Sequence, residues 1–248
     1  MRYQDWLRWG TLTGIFLIPF VAFIIADGGS NHGFYIPLNN LFFPFITGKN
    51  FVFRILVELT LLFYVLLALR EPKYRPRGGV VMWTVLAFVA WMAIATIFSV
   101  DPIKSFWSNF ERMEGYLSLL HMFAWFVIAG AMLAAENLWD RFFNVSIAAS
   151  ALMGFDALMQ LFHWVPISSQ SGPRVDTTFG NATYLAVYLL IHVFLTLYML
   201  ARRGDKTWVQ VLYGLALVLQ VVGLYFTETR GALLGMAGGL IIAALWVV

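Results

Sequence analysis

The feature that most constrains this chain is a repeated alternation: polar clusters separated by unbroken apolar runs of about 17 to 22 residues, the length an α-helix needs to cross the hydrocarbon core of a bilayer. Such runs occupy residues 9–26, 51–69, 80–99, 116–135, 143–163, 184–201, 208–226 and 231–248. They are twice as long as a barrel strand requires and do not alternate in polarity. Backbone N–H and C=O groups in lipid must be paired within their own segment, so each run is read as a helix. The expectation is an all-α, polytopic transmembrane helical bundle of about eight spans, a single transmembrane domain over residues 1–248 with no soluble domain.

Composition agrees with that expectation. Of the 248 residues 61% are hydrophobic and 12% charged, against roughly 25% charged in soluble domains. The chain has no cysteine, which excludes disulfides, thiolate metal sites and a cysteine nucleophile. No basic run is interleaved with aromatics in a soluble segment, so nucleic acid is not an expected partner. The first apolar run follows Arg2 and Arg8 but is long for a signal core. It ends in Ile24-Ile-Ala-Asp-Gly-Gly29 without a small-x-small cleavage site, and more spans follow. The last run stops at Val248 without the polar or aromatic-basic anchor that membrane helices usually carry, so a truncated C-terminus is expected.

Lysine and arginine near span ends set orientation. With the N-terminus cytoplasmic, the inner set is Arg2, Arg8, Arg70, Lys73, Arg75, Arg77, Arg141, Arg202, Arg203 and Lys206; Lys49, Arg54, Lys104, Arg112, Arg174 and Arg230 remain outside. The longer loops, about 27–50, 100–115 and 164–183, then lie on the outer side. Within the first, Phe34-Tyr-Ile-Pro37 and Leu41-Phe-Phe-Pro-Phe-Ile-Thr-Gly-Lys49 are apolar and Pro-broken, as an interfacial or re-entrant segment would be. In the second, Phe106, Phe110 and Met113 fall at helical spacing, with Lys104, Ser108 and Arg112 on another face. That pattern fits an amphipathic surface helix, or an aromatic belt anchoring the next span.

Arg112, Arg174 and Arg230 lie near outer span ends, where positive charge is disfavoured. Arg230 opens the last helix, where the positive end of the helix dipole disfavours a cation by roughly 0.3–1 kcal/mol. An anion is expected beside it: either Glu228, or a ligand phosphate held by helix N–H groups and the guanidinium fork. Arg174 sits in the polar stretch 168–184 with Asp176 and Asn181. This stretch either folds over a sugar or diphosphate or is a connection in which Arg174 pairs with Asp176, and Gly180-Asn181 permits a tight turn. Arg112 is flanked by Glu111 and Glu114. Together the three arginines point to an extracytoplasmic anion site.

Glu58 and Asp156 fall inside spans, at about 2.5–3.5 kcal/mol each on insertion scales. Glu58 follows Arg54 by one turn, which offers a salt bridge, and Asp156 shares a face with His163. Polar contact between helices is the favoured role for both acids; ion relay is the sharper one. His32, His121 and His192 lack metal-ligand spacing, and the last two are read as hydrogen-bonded bundle residues. No metal motif, Gly-rich phosphate loop or Ser-His-Asp order is present, and no catalytic residue is assigned. Gly231, Gly235 and Gly239, with Gly238 beside them, suggest close helix packing.

Thr227-Glu-Thr-Arg-Gly-Ala-Leu-Leu-Gly235 resembles the Thr-x-Ser-Arg-Gly-Ala-x-x-Gly element of the O-antigen ligase and Wzy polymerase superfamily, with Thr229 in place of serine. Phe179-Gly-Asn-Ala-Thr-Tyr-Leu-Ala186 resembles its Phe-Gly-Asn-x-Asn-Tyr-Leu-Ala stretch, with Thr183 departing from it. Ser105-Phe-Trp-Ser-Asn-Phe-Glu-Arg-Met-Glu-Gly115 and Phe43-Pro-Phe-Ile-Thr-Gly-Lys49 are similar to stretches of one large bacterial branch.

The resemblance, over about residues 40 to 240, implies a multi-pass protein of the bacterial inner membrane with periplasmic functional loops. It would pass a glycan from a polyprenyl-diphosphate carrier to lipid A core, another glycan or a protein, without metal or nucleotide cofactor. Arg112, Arg174 and Arg230 would then grip the diphosphate, with Asp176, Asn181 and Glu228 as further substrate-loop candidates. Family members also carry a later periplasmic loop with a histidine regarded as general base, and His163 is not at a matching position. The alternative function is a membrane transporter or channel component for a small anion such as bicarbonate, with Glu58 and Asp156 lining its path. An inert membrane scaffold is a third possibility.

Overall fold

The computed structural model describes residues 3–26, 34–36, 41–135, 137–168, 171–203 and 206–247. Arg2, His32 and Pro37, and most of the 27–40 stretch, lie outside the described residues. The protein is all-α and polytopic. Its helices are α1 (Tyr3–Leu17), α2 (Pro44–Arg70), α3 (Val80–Ile97), α4 (Pro102–Trp107), α5 (Tyr116–Ala135), α6 (Trp139–Leu161), α7 (Ala182–Arg203), α8 (Thr207–Phe226) and α9 (Arg230–Val247). Among the described residues seven stretches are long and apolar enough to cross a membrane: Gln4–Phe23, Pro44–Arg70, Val80–Ile97, Tyr116–Ala134, Trp139–Leu161, Ala182–Arg203 and Thr207–Phe226. The eighth expected span is α9, a shorter apolar helix over Arg230–Leu245.

The chain divides into two compact units, one reaching Trp139 and the other running from Asp140. In the first unit α1 and α2 pack antiparallel: Gly10 faces the Phe63 ring and Gly14 faces Thr60. A Cβ on Gly14 would come within 1.9 Å of Thr60 Oγ1, so this close approach requires glycine. The first apolar run does not stay α-helical to residue 26. Pro19 has no N–H to give the helix, the chain tightens into a 3-10 segment over Ile18–Phe23, and Ile24–Ile25 then pairs in parallel with Phe34–Tyr35.

The stretch expected to be interfacial is corrected more substantially. From Pro44 onward it forms the first turns of α2, which has 27 residues instead of starting at 51. Proline at the first helical position costs nothing, because that N–H has no intrahelical acceptor. At 1.5 Å per residue α2 is about 40 Å long, longer than the roughly 30 Å apolar core it has to cross. At its other end Tyr64 Oη donates to Tyr74 O (3.0 Å), pinning the basic turn before α3.

The expected amphipathic helix in the second loop is also shorter. Asp101 caps α4 by accepting from Lys104 N (3.0 Å), and the helix ends at Trp107 because Ser108 adopts φ 65°. Phe110 and Met113 therefore lie beyond it.

In the second unit α6, α7 and α8 share a polar seam. Thr196 Oγ1 donates to Gln220 Oε1 (3.0 Å), and Gln220 Nε2 donates to Ser150 Oγ (2.7 Å). All three residues are buried. Interhelical hydrogen bonds of this kind contribute about 0.6 kcal/mol each on average in a membrane. Gly154 brings α6 close to α8, where a Cβ would lie 2.7 Å from Leu219 O. Tyr213 Oη donates to Asn144 Oδ1 (2.6 Å), and Tyr213 packs with Ile147, Met199 and Ala216. The expected glycine face of α9 is half used: Gly235 and Gly239 meet Leu190 and Phe194 of α7, while Gly231 and Gly238 meet nothing within 4 Å.

Candidate functional site

The first unit fixes the 108–115 loop through one face of α2. Thr47, Asn50 and Arg54 recur at helical spacing and therefore line up along the helix. Thr47 Oγ1 donates to Glu111 O (2.8 Å), Asn50 Nδ2 to Arg112 O (2.5 Å) and Arg54 Nη2 to Met113 O. Three successive loop carbonyls are thus held by three successive polar side chains of one helix. The loop reciprocates: Glu111 Oε2 accepts from Phe43 N (2.7 Å), at the start of α2. A carboxylate there also complements the positive end of the helix dipole.

Arg112 is half-buried, and its guanidinium lies 4.6 Å from the centre of the Phe43 ring, a cation–π contact worth about 0.5–1 kcal/mol where exposed and more when desolvated. It is in no ion pair with the neighbouring Glu111 or Glu114. Beside it, Arg54, Trp107, Ser108, Asn109, Phe110 and Met113 line a cleft of about 350 Å³.

Glu58 does not take the partner expected of it. The Arg54 guanidinium is turned to Met113 O and Ser118 Oγ (2.7 Å to the latter). Glu58 Oε1 instead meets His121 Nε2 at 3.0 Å, and His121 Nδ1 meets Leu117 O at 2.7 Å. The Glu58 side chain is 65% exposed and that of His121 is 9% exposed. His121 and His192 are both hydrogen-bonded between helices, the latter to Ser146 Oγ at 2.8 Å. Asp156 is half-buried in α6, and His163 is exposed just beyond the end of that helix.

In the second unit one side chain organises the 162–181 loop. Gln160, fully buried near the end of α6, accepts from Asp176 N (2.9 Å) and Thr177 N (2.8 Å) through Oε1. Its Nε2 donates to Asp176 Oδ1 and Pro166 O, both at 3.0 Å. Every hydrogen-bonding position of the amide is used. Asp176 is fully buried, with Oδ1 taken by Gln160 and Oδ2 without a hydrogen-bond partner. It therefore does not pair with Arg174, whose Nε donates weakly to Ser171 O (3.4 Å). Asn181 is the N-cap of α7, its Oδ1 accepting from Thr183 N (2.9 Å) and Tyr184 N (3.4 Å).

The same loop is tied to the end of α8, where Val175 N donates to Phe226 O (3.3 Å). Arg174 and the 227–229 turn before Arg230 thus belong to one end of this unit. Glu228 is exposed in that turn at φ 51° and is not the expected partner of Arg230. Among the described residues neither Arg174, Arg230 nor Glu228 is in an ion pair.

Reading the sequence missed Thr47, Asn50 and Gln160 as loop anchors. The spacing of the first two with Arg54, in a helix otherwise nearly apolar, was an available signal; nothing local marked Gln160. Comparison with known proteins finds no match: no family model, no curated protein and no solved structure matches this chain.

Proposed function

We propose that the chain is a membrane glycosyltransferase of the O-antigen ligase and polymerase type. It passes a glycan from a polyprenyl-diphosphate carrier to a lipid A core, glycan or protein acceptor at the periplasmic face of a bacterial inner membrane. What supports this reading most is that Arg174 and Arg230, on tied segments at one end of the second unit, have no carboxylate partner among the described residues. Guanidinium groups kept without a countercharge suit a ligand that brings its own.

The acceptor hydroxyl oxygen attacks the anomeric carbon and gives up its proton to water, and the bond to the carrier's diphosphate breaks with its electron pair staying on the phosphate oxygen. Arg174 and Arg230 stabilise that developing charge from positions set before the reaction begins. Gln160 holds the loop bearing Arg174, and Asn181 caps the helix that follows it, so both act by positioning. Lysine at either arginine keeps the charge but loses the fork geometry. Arg174→Lys and Arg230→Lys are expected to lower glycan transfer in cells by about 100-fold or more at normal protein level, the scale of losing a preplaced donor. Normal transfer from the folded double variant removes the mechanism.

The exposed carboxylate of Glu58 inside a span favours a second reading, a transporter or channel component for a small anion such as bicarbonate. Glu58→Gln leaves glycan transfer largely intact on the first reading and stops anion flux on the second.

A further inference from the structure

We propose that the cleft in the first unit binds an acidic sugar, its carboxylate or phosphate oxygens on Arg54 and its ring against Trp107. This names the substrate class and rests on the glycan-transfer reading. The cleft, about 350 Å³, falls within the size range of small-molecule sites, roughly 300–1,000 Å³.

Arg54 supplies the charge. Its two protein hydrogen bonds both leave from Nη2, to Met113 O and Ser118 Oγ, and Nε is buried without a partner. Two of the nearby acids hydrogen-bond elsewhere, although the charge of Glu58 still acts on Arg54. Glu58, one turn deeper, is bonded to His121, and Glu111 is bonded to Phe43 N. Glu114 is exposed on the loop and in no ion pair among the described residues. A guanidinium partly withdrawn from water, whose neighbouring Glu58 carboxylate is hydrogen-bonded to another side chain, is stabilised further by an anion that hydrogen-bonds its remaining donors.

The walls supply the rest. Trp107 is 55% and Phe110 81% exposed, so both rings are open to a ligand. Ser108 and Asn109 line the same cleft, and Asn109 Oδ1 already accepts from Arg112 N (2.7 Å), which leaves its NH₂ to donate to a ligand. An interfacial aromatic belt accounts for exposed rings. It does not account for an arginine beside them whose buried Nε has no hydrogen-bond partner.

The walls are also fixed in advance. Ser108 and Met113 hold left-handed backbone at φ 65° and 52°. A Cβ on Gly115 would lie 2.3 Å from Phe106 O and 2.7 Å from Ser108 N, so the loop closes this tightly only over glycine. Strain held by surrounding structure is a usual mark of preorganised sites.

The test uses the full chain in phosphatidylcholine nanodiscs, with glucose, glucuronic acid and glucose 1-phosphate followed by saturation-transfer NMR. Both acidic sugars are expected to bind about tenfold more tightly than glucose, the difference one charge-assisted contact supplies. Arg54→Gln abolishes the preference, and Trp107→Ala weakens all three sugars. Arg54→Gln also loses the Met113 anchor, so Trp107→Ala, which leaves that anchor in place, decides the matter if the first variant does not fold. Equal binding of acidic and neutral sugars, or wild-type binding by Trp107→Ala, overturns the proposal. So does displacement of the acidic sugars when phosphatidylglycerol is added to the nanodiscs, because the occupant is then a lipid headgroup. The assay contains no lipid-linked donor or acceptor. Transfer is read separately in cells, so sugar binding here with no glycan transfer in cells refutes only the glycosyltransferase reading, and transfer in cells without sugar binding here refutes only this site.

Discussion

The 108–115 loop of the first unit and the 171–181 loop of the second are both anchored by side chains from a span, yet the two anchors work differently. The first is distributed: Thr47, Asn50 and Arg54 each hold one carbonyl along two turns of α2, and the loop stays partly open around its cleft. The second is concentrated: Gln160 alone makes four hydrogen bonds, and Asp176, Thr177 and Thr178 around it are buried. A distributed anchor tolerates loss of one member and leaves room for a ligand. A concentrated one makes a rigid platform that fails as a whole.

The sharpest way to break this comparison is Gln160→Leu. It strands two backbone N–H groups and the Asp176 carboxylate in a buried site, at about 1–3 kcal/mol each, so a loss of about 3 kcal/mol or more is expected. Thermal unfolding in detergent measures it, and hydrogen exchange should show lost protection across 171–181 with 108–115 unchanged. Unchanged melting would mean that the amide is not the organiser.

Gly115→Ala comes next, at about 2–3 kcal/mol, the usual scale of forcing a methyl into backbone atoms. Its exchange signature should be confined to 101–116. Asn50→Leu removes one of three anchors and is expected to cost about 1–2 kcal/mol. A loss as large as that of Gln160→Leu would show that the first loop is not held in a distributed way. The smallest effect calibrates the rest: Gly238→Ala, with open space at its Cβ position, should stabilise α9 by about 0.5–1 kcal/mol.

The spans were legible because length and hydropathy alone decide whether a segment crosses a bilayer, and most boundaries fell within a few residues. The start of α2 was not. Pro44 looked like a breaker, but proline at the first helical position is a starter, and Thr47, Gly48 and Lys49 looked like a loop because Thr47 and Lys49 bond to Glu111 O and Ile24 O and Gly48 packs on Ala26, partners absent from any local window. Glu58 was assigned to Arg54 by spacing along one helix, whereas its hydrogen bond goes across to His121. Gln160 was invisible for the same reason, since a lone glutamine near the end of an apolar run gives no sign of the loop it organises. The candidate arginines were legible as charges out of place, but their lack of carboxylate partners among the described residues was not.

The proposed glycan transfer requires the loops carrying Arg112, Arg174 and Arg230 all to face the periplasm. Because the chain has no cysteine, single cysteines at exposed positions test it without background. In intact cells a membrane-impermeant maleimide should label Glu114→Cys, Pro173→Cys and Glu228→Cys, and should reach Arg77→Cys and Lys206→Cys only after the membrane is opened. The reverse pattern, or a split among the first three, would contradict the account.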